Sequence, residues 1–188
     1  MNRNRAAVGA VAVTLFTAGL AVGPAVAATA TEAKARVGAD WATQSIVFAA
    51  AAGQTNNLNI FSMYTSDGIR RIGFSDVVPL EPGDHCAYSR AEDTTSVVCE
   101  LPADSPRPDR IDVSLGDGND TIAAFTPGIG TVHAGPGDDH AMGGDGRDVI
   151  LGGPGNDTLD GEGGDDLVCG GTGKDTLEGG PGRDVVLP

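Results

Sequence analysis

Apolar and polar positions follow a nine-residue period over the last two-fifths of the chain. From Gly143 the sequence divides without insertion into GGDGRDVIL, GGPGNDTLD, GEGGDDLVC, GGTGKDTLE and GGPGRDVVL. AGPGDDHAM (134–142) precedes these units in register, and FTPGIGTVH (125–133) is a degenerate copy. LGDGNDTIA (115–123) is a good copy that is displaced by one extra residue, Ala124. A fixed period of this length indicates a repeat architecture in which each unit stacks on its neighbours.

Each place in the period predicts a local conformation. Glycine at the fourth place permits a positive φ in a tight turn, and the high glycine content excludes a helix. The eighth place is apolar between mostly polar or β-branched neighbours, which predicts a very short strand with one side chain directed inward. These residues are Ile122, Val132, Ala141, Ile150, Leu159, Val168, Leu177 and Val186. Two such strands per turn, with two repeats to each turn, would build a coil of two parallel sheets around a thin aliphatic core.

The sixth place carries aspartate. The residues are Asp120, Asp139, Asp148, Asp157, Asp166, Asp175 and Asp184. Stacked coils would bring these carboxylates to about 5 Å from one another in two columns, where they repel strongly without a counter-ion. Hard oxygen ligands suit Ca²⁺, whereas Mg²⁺ demands stricter octahedral geometry and Zn²⁺ prefers His or Cys. The three histidines, His85, His133 and His140, show no ligand spacing.

The pattern G-G-x-G-x-D-x-U-x, with U apolar, is that of a calcium-binding nonapeptide. Residues 115–187 therefore resemble the haemolysin-type (RTX) calcium-binding repeat family. The resemblance implies an all-β fold with a C-terminal parallel β-roll, in which each calcium ion lies between turns two repeats apart. It implies that the ligands are the sixth-place aspartates together with turn backbone carbonyls at Gly137, Gly146, Gly155, Gly164, Gly173 and Gly182.

The aspartate pairs implied by the resemblance are Asp139 with Asp157, Asp148 with Asp166, Asp157 with Asp175, and Asp166 with Asp184. Asp120 with Asp139 is a weaker fifth pair, because Ala124 disturbs the spacing. Gly130 holds the sixth place of the degenerate copy and offers no carboxylate to Asp148, so that site is expected to be damaged. About four or five Ca²⁺ ions are expected in total. The segment 111–188 has 15 acidic and three basic residues, and the charge of these ions would nearly cancel its negative net charge.

Charge and hydropathy divide the rest of the chain. The net charge of −14 argues against a nucleic-acid-binding surface. A basic start (1–5), an apolar stretch (6–22) and Ala25-Val26-Ala27 predict a secretory signal peptide over residues 1–27. The alternative is a membrane anchor, for which about 17 apolar residues are marginal. The prediction is therefore a secreted, extracellular protein without a membrane span after cleavage.

Between the signal and the repeats the pattern is less regular. Residues 28–42 are rich in Ala and Thr and predict a flexible lead-in, whereas residues 43–114 show about six short apolar alternations separated by turn residues. This β-rich region would cap the apolar end of the β-roll at 115–188. Its larger side chains would come from Trp41, Phe48, Phe61 and Phe74.

Predicted secretion affects the expected state of the cysteines. Cys86 and Cys99 lie in one short region, and export permits a disulfide between them, the alternative being two unpaired buried thiols. Cys169 occupies an ordinary side-chain position in a repeat.

Catalysis has little support in the sequence. There is no H-E-x-x-H or G-x-S-x-G motif, so no enzyme is expected. Large RTX toxins and proteases carry a further domain before the repeats, which this sequence does not show, so a toxin role is not inferred. The leading hypothesis is a secreted calcium-ion-binding protein whose repeats fold around the metal. The alternative is a calcium-stabilised adhesion or carbohydrate- or cell-wall-binding module that presents a recognition surface in residues 43–114 to a polysaccharide or protein partner.

Overall fold

A computed structural model describes residues 34–40, 45–64, 70–100, 110–127 and 130–188. Within these ranges the chain forms strands and no helix, as predicted for an all-β protein. The strands are β1 (Ala35–Asp40), β2 (Ser45–Ala49), β3 (Asn57–Tyr64), β4 (Arg70–Ser75), β5 (Leu80–Pro82), β6 (Cys86–Arg90), β7 (Asp93–Glu100), β8 (Arg110–Ser114), β9 (Thr121–Phe125), β10 (Thr131–His133), β11 (His140–Gly144), β12 (Val149–Pro154), β13 (Thr158–Glu162), β14 (Leu167–Thr172), β15 (Thr176–Glu178) and β16 (Val185–Leu187). The predicted signal peptide at 1–27 and Trp41 lie outside the described residues.

The strands are arranged in two sheets, and from β8 onward the chain enters the two sheets alternately. Sheet A has the order β16-β14-β12-β10-β8-β2-β1-β5, and sheet B has the order β15-β13-β11-β9-β3-β4-β7-β6. From β8 onward, each strand pairs in parallel with the strand two places further along the chain. Ile150 is paired with Val168 and Leu159 with Leu177, so one coil takes two nonapeptide repeats. This arrangement is consistent with the predicted parallel β-roll.

The extra residue of the early repeats changes the pairing offset near the end of β9. Thr121 of β9 is paired with His140 of β11, and Asp112 of β8 is paired with Thr131 of β10, so both offsets exceed two repeats by one position. Between β10 and β12 the offset returns to two exact repeats. The additional residue is therefore accommodated after Ala123, the last residue of β9 that is paired with β11, and away from the turn that carries Asp120.

The coiled arrangement begins before the first nonapeptide. β2 pairs in parallel with β8, and β3 pairs in parallel with β9, so these two strands form one more layer of the roll. Beyond them the pairing of β1 with β2, of β3 with β4, of β4 with β7 and of β6 with β7 is antiparallel, while β5 runs parallel to β1.

Among the described residues, seven strands (β2–β8) lie in the region 43–114, for which the sequence predicts about six, and β1 precedes them. The additional strands have weak sequence signals. β1 lies inside the segment for which the sequence predicts a flexible lead-in, and its inward residues are the small Ala35, Val37 and Ala39. Alanine is a poor strand former, so an Ala-rich segment gives little indication of a buried strand. β5 is very short, which leaves little room for an alternating pattern.

The core is wide in its first layers and thin along the repeats. Phe48 and Phe74 are fully buried, and Phe61 is half-buried against Gly73. In the repeats the core consists mainly of the eighth-place residues from Ile122 to Val168, all buried, together with Leu115, Ala124 and Ala134. The core ends at the last strand, where Val186 is 42% exposed.

A disulfide joins Cys86 of β6 to Cys99 of β7, which face each other in the antiparallel pair. This pairing confirms the predicted bridge. Cys169 is a free, half-buried thiol in β14.

Candidate metal centre

The glycine-rich turns place the sixth-place aspartates at the two edges where the chain passes from one sheet to the other. We call the residues that precede the strands of sheet B column B: Asp120, Asp139, Asp157 and Asp175. Those that precede the strands of sheet A form column A: Asp148, Asp166 and Asp184. Because the parallel register is kept from coil to coil, each aspartate stacks on the equivalent residue of the next coil.

A hydrogen-bond ladder runs along both columns. In every step, Oδ1 of one aspartate accepts the backbone N–H of the aspartate in the preceding coil. The donor–acceptor distances are 2.8 Å from Asp120 to Asp139, 2.9 Å from Asp139 to Asp157, 3.0 Å from Asp157 to Asp175, 2.8 Å from Asp148 to Asp166 and 3.1 Å from Asp166 to Asp184. The structure therefore brings together all five predicted pairs, including the pair of Asp120 and Asp139 across the extra residue.

The second carboxylate oxygen has no such partner in four of these aspartates. Oδ2 of Asp120, Asp139, Asp157 and Asp166 is buried without a hydrogen bond, and the four residues are almost completely buried. A buried, unpartnered acceptor is normally costly by about 1–3 kcal/mol, and more if it is charged. These oxygens are hard, anionic donors, so the residues present fit a calcium ion.

Burial also affects the protonation of the columns. Loss of hydration raises the pKa of Asp120, Asp139, Asp157 and Asp166, because the charged form is disfavoured inside the protein. The pKa of Asp139 rises to about 6, with the negative charges of Asp120 and Asp157 adding to the effect of burial. Without a cation, the folded protein therefore disfavours the ionised form of these four aspartates.

Asp148, the first member of column A, has a different environment. Its Oδ2 accepts the N–H of Gly144 at 3.0 Å, and its own N–H donates to Asp166. The equivalent place in the preceding coil is held by Gly130, whose carbonyl accepts the N–H of Val149 at 3.2 Å. That the missing carboxylate at Gly130 weakens a site for Asp148 stays a prediction.

Glycine is required where the chain layers approach most closely. At Gly155 φ is +156°, and a Cβ there would overlap the carbonyl oxygen of Gly137 in the coil before. At Gly152, a first-place glycine, a Cβ would overlap Oδ2 of Asp157. Of the fourth-place glycines predicted to contribute carbonyls, Gly137, Gly155, Gly164 and Gly173 have a positive φ, whereas Gly146 and Gly182 do not.

A second ladder, at the fifth place, is not evident from the sequence analysis. The side-chain Oδ1 of Asn119, Asp138, Asn156 and Asp165 each accepts a backbone N–H from the next coil at 2.8–3.0 Å. These side chains are exposed, so the ladder lies outside the aspartate columns. The recurrence of Asn or Asp at the fifth place is the sequence signal that could have revealed it.

Backbone carbonyl oxygens or water are needed to complete a metal site. Across the described ranges, no three His, Cys, Asp or Glu side chains are grouped so that they could hold a metal ion by themselves. Two carboxylates per pair must therefore be supplemented by carbonyl oxygens or water. His85, His133 and His140 are exposed and scattered. No helix long and apolar enough to cross a membrane occurs in the part of the chain that the structure describes.

Comparison with known proteins identifies the repeats. Residues 133–168 and 169–187 match the family model of the RTX calcium-binding nonapeptide repeat, with four copies. The matched segments make up less than a third of the 188 residues. No curated protein and no solved structure matches the chain significantly. The resemblance predicted from the glycine and aspartate spacing is thus confirmed for residues 133–187, which are RTX calcium-binding nonapeptide repeats and support calcium binding.

Proposed function

We propose that the protein is a secreted calcium-binding protein whose repeats fold around Ca²⁺ ions held between successive coils. The observation that carries the proposal is the set of buried, unpartnered Oδ2 atoms in Asp120, Asp139, Asp157 and Asp166. In each of these carboxylates Oδ1 accepts a backbone N–H, so Oδ2 is available to a cation. Oxygen donors of this kind, supplemented by carbonyls, are the ligands that Ca²⁺ prefers.

The number of ions follows from the number of pairs. Column B offers three consecutive pairs, and column A offers two. Full occupation would place five Ca²⁺ ions along the two edges, and four if the pair of Asp120 and Asp139 binds too weakly. The proposed ligands are the carboxylates of both columns and the turn carbonyls.

Calcium would decide whether the repeats fold. Without it, neighbouring carboxylates about 5 Å apart repel each other by about 3 kcal/mol per pair at an effective dielectric constant of about 20. Glycine also loses more conformational freedom on folding than any other residue. The thin core has few buried side chains to oppose these terms. We therefore expect residues 115–187 to be mostly disordered in chelator and ordered with calcium, with an affinity of the extracellular class, roughly 10⁻⁴–10⁻³ M.

Secretion is part of the proposal. It is supported by the basic and apolar pattern at residues 1–27 and by the disulfide between Cys86 and Cys99, which persists in oxidising compartments.

The test is a calcium titration of the full mature chain, followed by far-ultraviolet circular dichroism and by calorimetry. We expect the strand signal to grow with calcium and not with equal magnesium. Asp157 belongs to two pairs and Asp175 to one, so Asp157→Asn should lose two ions and Asp175→Asn one. A strand signal that is already complete in excess chelator, or equal losses in the two variants, would contradict the proposal.

A further inference from the structure

The N-terminal end of column B continues beyond the nonapeptide repeats. β3 lies next to β9 in sheet B, and Asn57 is paired with Thr121. Asn56 therefore occupies the position in the preceding coil that is equivalent to Asp120. Its N–H donates to Oδ1 of Asp120 at 2.7 Å, as the N–H of Asp120 donates to Asp139. Asn56 extends the ladder by one step, with an amide in place of a carboxylate.

A third polar side chain, that of Asp76, reaches this end from outside the roll. Asp76 directly follows β4, which lies on the other side of β3 from β9. Its Oδ1 accepts the N–H of Asn57 at 2.8 Å and that of Val77 at 2.7 Å. Its own N–H donates to the carbonyl of Thr95. Asp76 is thus fixed against the start of β3 and is only 8% exposed.

Three oxygens at this end are buried without a hydrogen-bond partner: Oδ1 of Asn56, Oδ2 of Asp76 and Oδ2 of Asp120. Asn56 and Asp120 are 2% and 1% exposed, so bulk solvent does not reach them. The amide of Asn56 is oriented by its Nδ2, which donates to the carbonyl of Leu115 at 3.2 Å and to Oδ1 of Asp120 at 3.3 Å. This orientation leaves Oδ1 of the amide as a free acceptor.

The charge and burial of these three oxygens favour a bound cation as their partner. The negative charge of Asp76 helps to raise the pKa of Asp120, although burial is the larger cause, so the two carboxylates affect each other. Two ionised carboxylates and an amide oxygen are acceptors only, so they cannot satisfy one another. A hard divalent ion would satisfy all three oxygens and neutralise both charges.

We propose that Asn56, Asp76 and Asp120 bind one further Ca²⁺ ion at the N-terminal end of column B. Two of these three residues lie outside the nonapeptide repeats, and Asp76 comes from the turn after β4. The inference rests on the proposed function, because Asp120 also belongs to column B. Its consequence is that calcium fixes the antiparallel strands β4 and β7 to the roll and does not act on the repeats alone.

The test compares calcium stoichiometry in three full-length chains by calorimetry. Asp76→Asn should bind one ion fewer than the wild type, because it removes a charged ligand while an amide oxygen can still accept the N–H of Asn57. Asp84→Asn is the matched control, since it removes one exposed carboxylate from the same half of the chain. The control should bind as many ions as the wild type.

Asn56→Asp provides a second, independent measurement if Asp76→Asn fails to fold. It recreates at this step the carboxylate pair that Asp120 and Asp139 form, so the affinity of one site should rise about tenfold. A wild type that binds no calcium would refute the proposed function together with this inference. A wild type that binds calcium, with Asp76→Asn retaining every ion or Asn56→Asp leaving all affinities unchanged, would overturn this inference alone and indicate that ordered water satisfies the three oxygens.

Discussion

Asp139 is the best single position for testing the roles of charge and metal in the columns. It lies between Asp120 and Asp157 and belongs to two proposed pairs. Asp139→Asn keeps the size of the side chain and an oxygen for the N–H of Asp120, but removes the charge. The substitution should have opposite effects on stability with and without calcium.

The magnitudes follow from the protonation of Asp139 and from mass action. Because burial raises its pKa from 3.8 to about 6, keeping Asp139 ionised in the folded, calcium-free chain at pH 7 costs at most about 3 kcal/mol. Asp139→Asn removes this cost and should stabilise the fold in chelator by up to that amount. At calcium concentrations about 100-fold above Kd, each ion contributes about 2.7 kcal/mol. Loss of two ions should therefore produce a net destabilisation of about 2 kcal/mol.

The assay is circular dichroism, followed during denaturant unfolding in saturating calcium and as the strand signal without denaturant in excess chelator, where stabilisation should raise the folded fraction of the repeats. Asp138→Asn is the matched control, because the exposed Asp138 accepts the N–H of Asn156, and Asn119 shows that an amide oxygen performs the same role. A shift of the same sign in both conditions, or one no different from that of Asp138→Asn, would refute the reasoning.

Three other perturbations test separate features. Gly152→Ala should weaken calcium binding and lower the free energy of unfolding by about 1–3 kcal/mol in a denaturant melt, because the added Cβ overlaps a carboxylate of column B. Gly163→Ala is the control and should be tolerated, because its Cβ would come no closer than 3.7 Å to a neighbouring atom. Lowering the pH from about 7 to about 5 should weaken calcium binding in a titration, since protons compete with calcium for Asp139. In chelator the same pH change should stabilise the fold, because protonation of a carboxylate whose pKa is raised in the folded state favours folding. This stability is lost as the pH rises through about 6. Replacing Cys86 and Cys99 by Ser should lower the free energy of unfolding by about 3 kcal/mol, measured in saturating calcium.

Each of these expectations has a contradicting result. Equal effects of Ala at positions 152 and 163 would show that close packing of glycine against the column is unimportant. Calcium affinity that does not change over the same pH interval would argue against carboxylate ligands with a raised pKa. Unchanged stability of the double Ser variant would mean that the disulfide constrains little of the unfolded chain.

The repeats were predictable because their structure is encoded locally. Each regular nonapeptide carries its own turn glycine, its own aspartate and its own core residue, so the period alone predicts the stacking of Ile150 on Val168 and the approach of Asp139 to Asp157. The ladder in both columns follows from that stacking.

The N-terminal layers could not be predicted in the same way, because they depend on pairs of residues distant in sequence. Ile46 of β2 is paired with Ile111 of β8, and Leu58 of β3 with Ile122 of β9, across a long intervening segment. Asp76 reaches column B only because β4 folds back on β3. The pattern Asn56-Asn57-Leu58 resembles Asp120-Thr121-Ile122, but no glycine-rich turn precedes it to mark it as another coil.

The alternating route of the chain between the two sheets has a consequence for how such proteins change in length. Removing two consecutive nonapeptides, for example 143–160, would leave every remaining strand in its own sheet, every aspartate at its own edge and the register of each parallel pair intact. Removing a single nonapeptide would instead exchange the edges for all the strands that follow. Gene duplications and deletions are therefore least disruptive in whole coils, and array length can evolve, or be engineered, in steps of one layer.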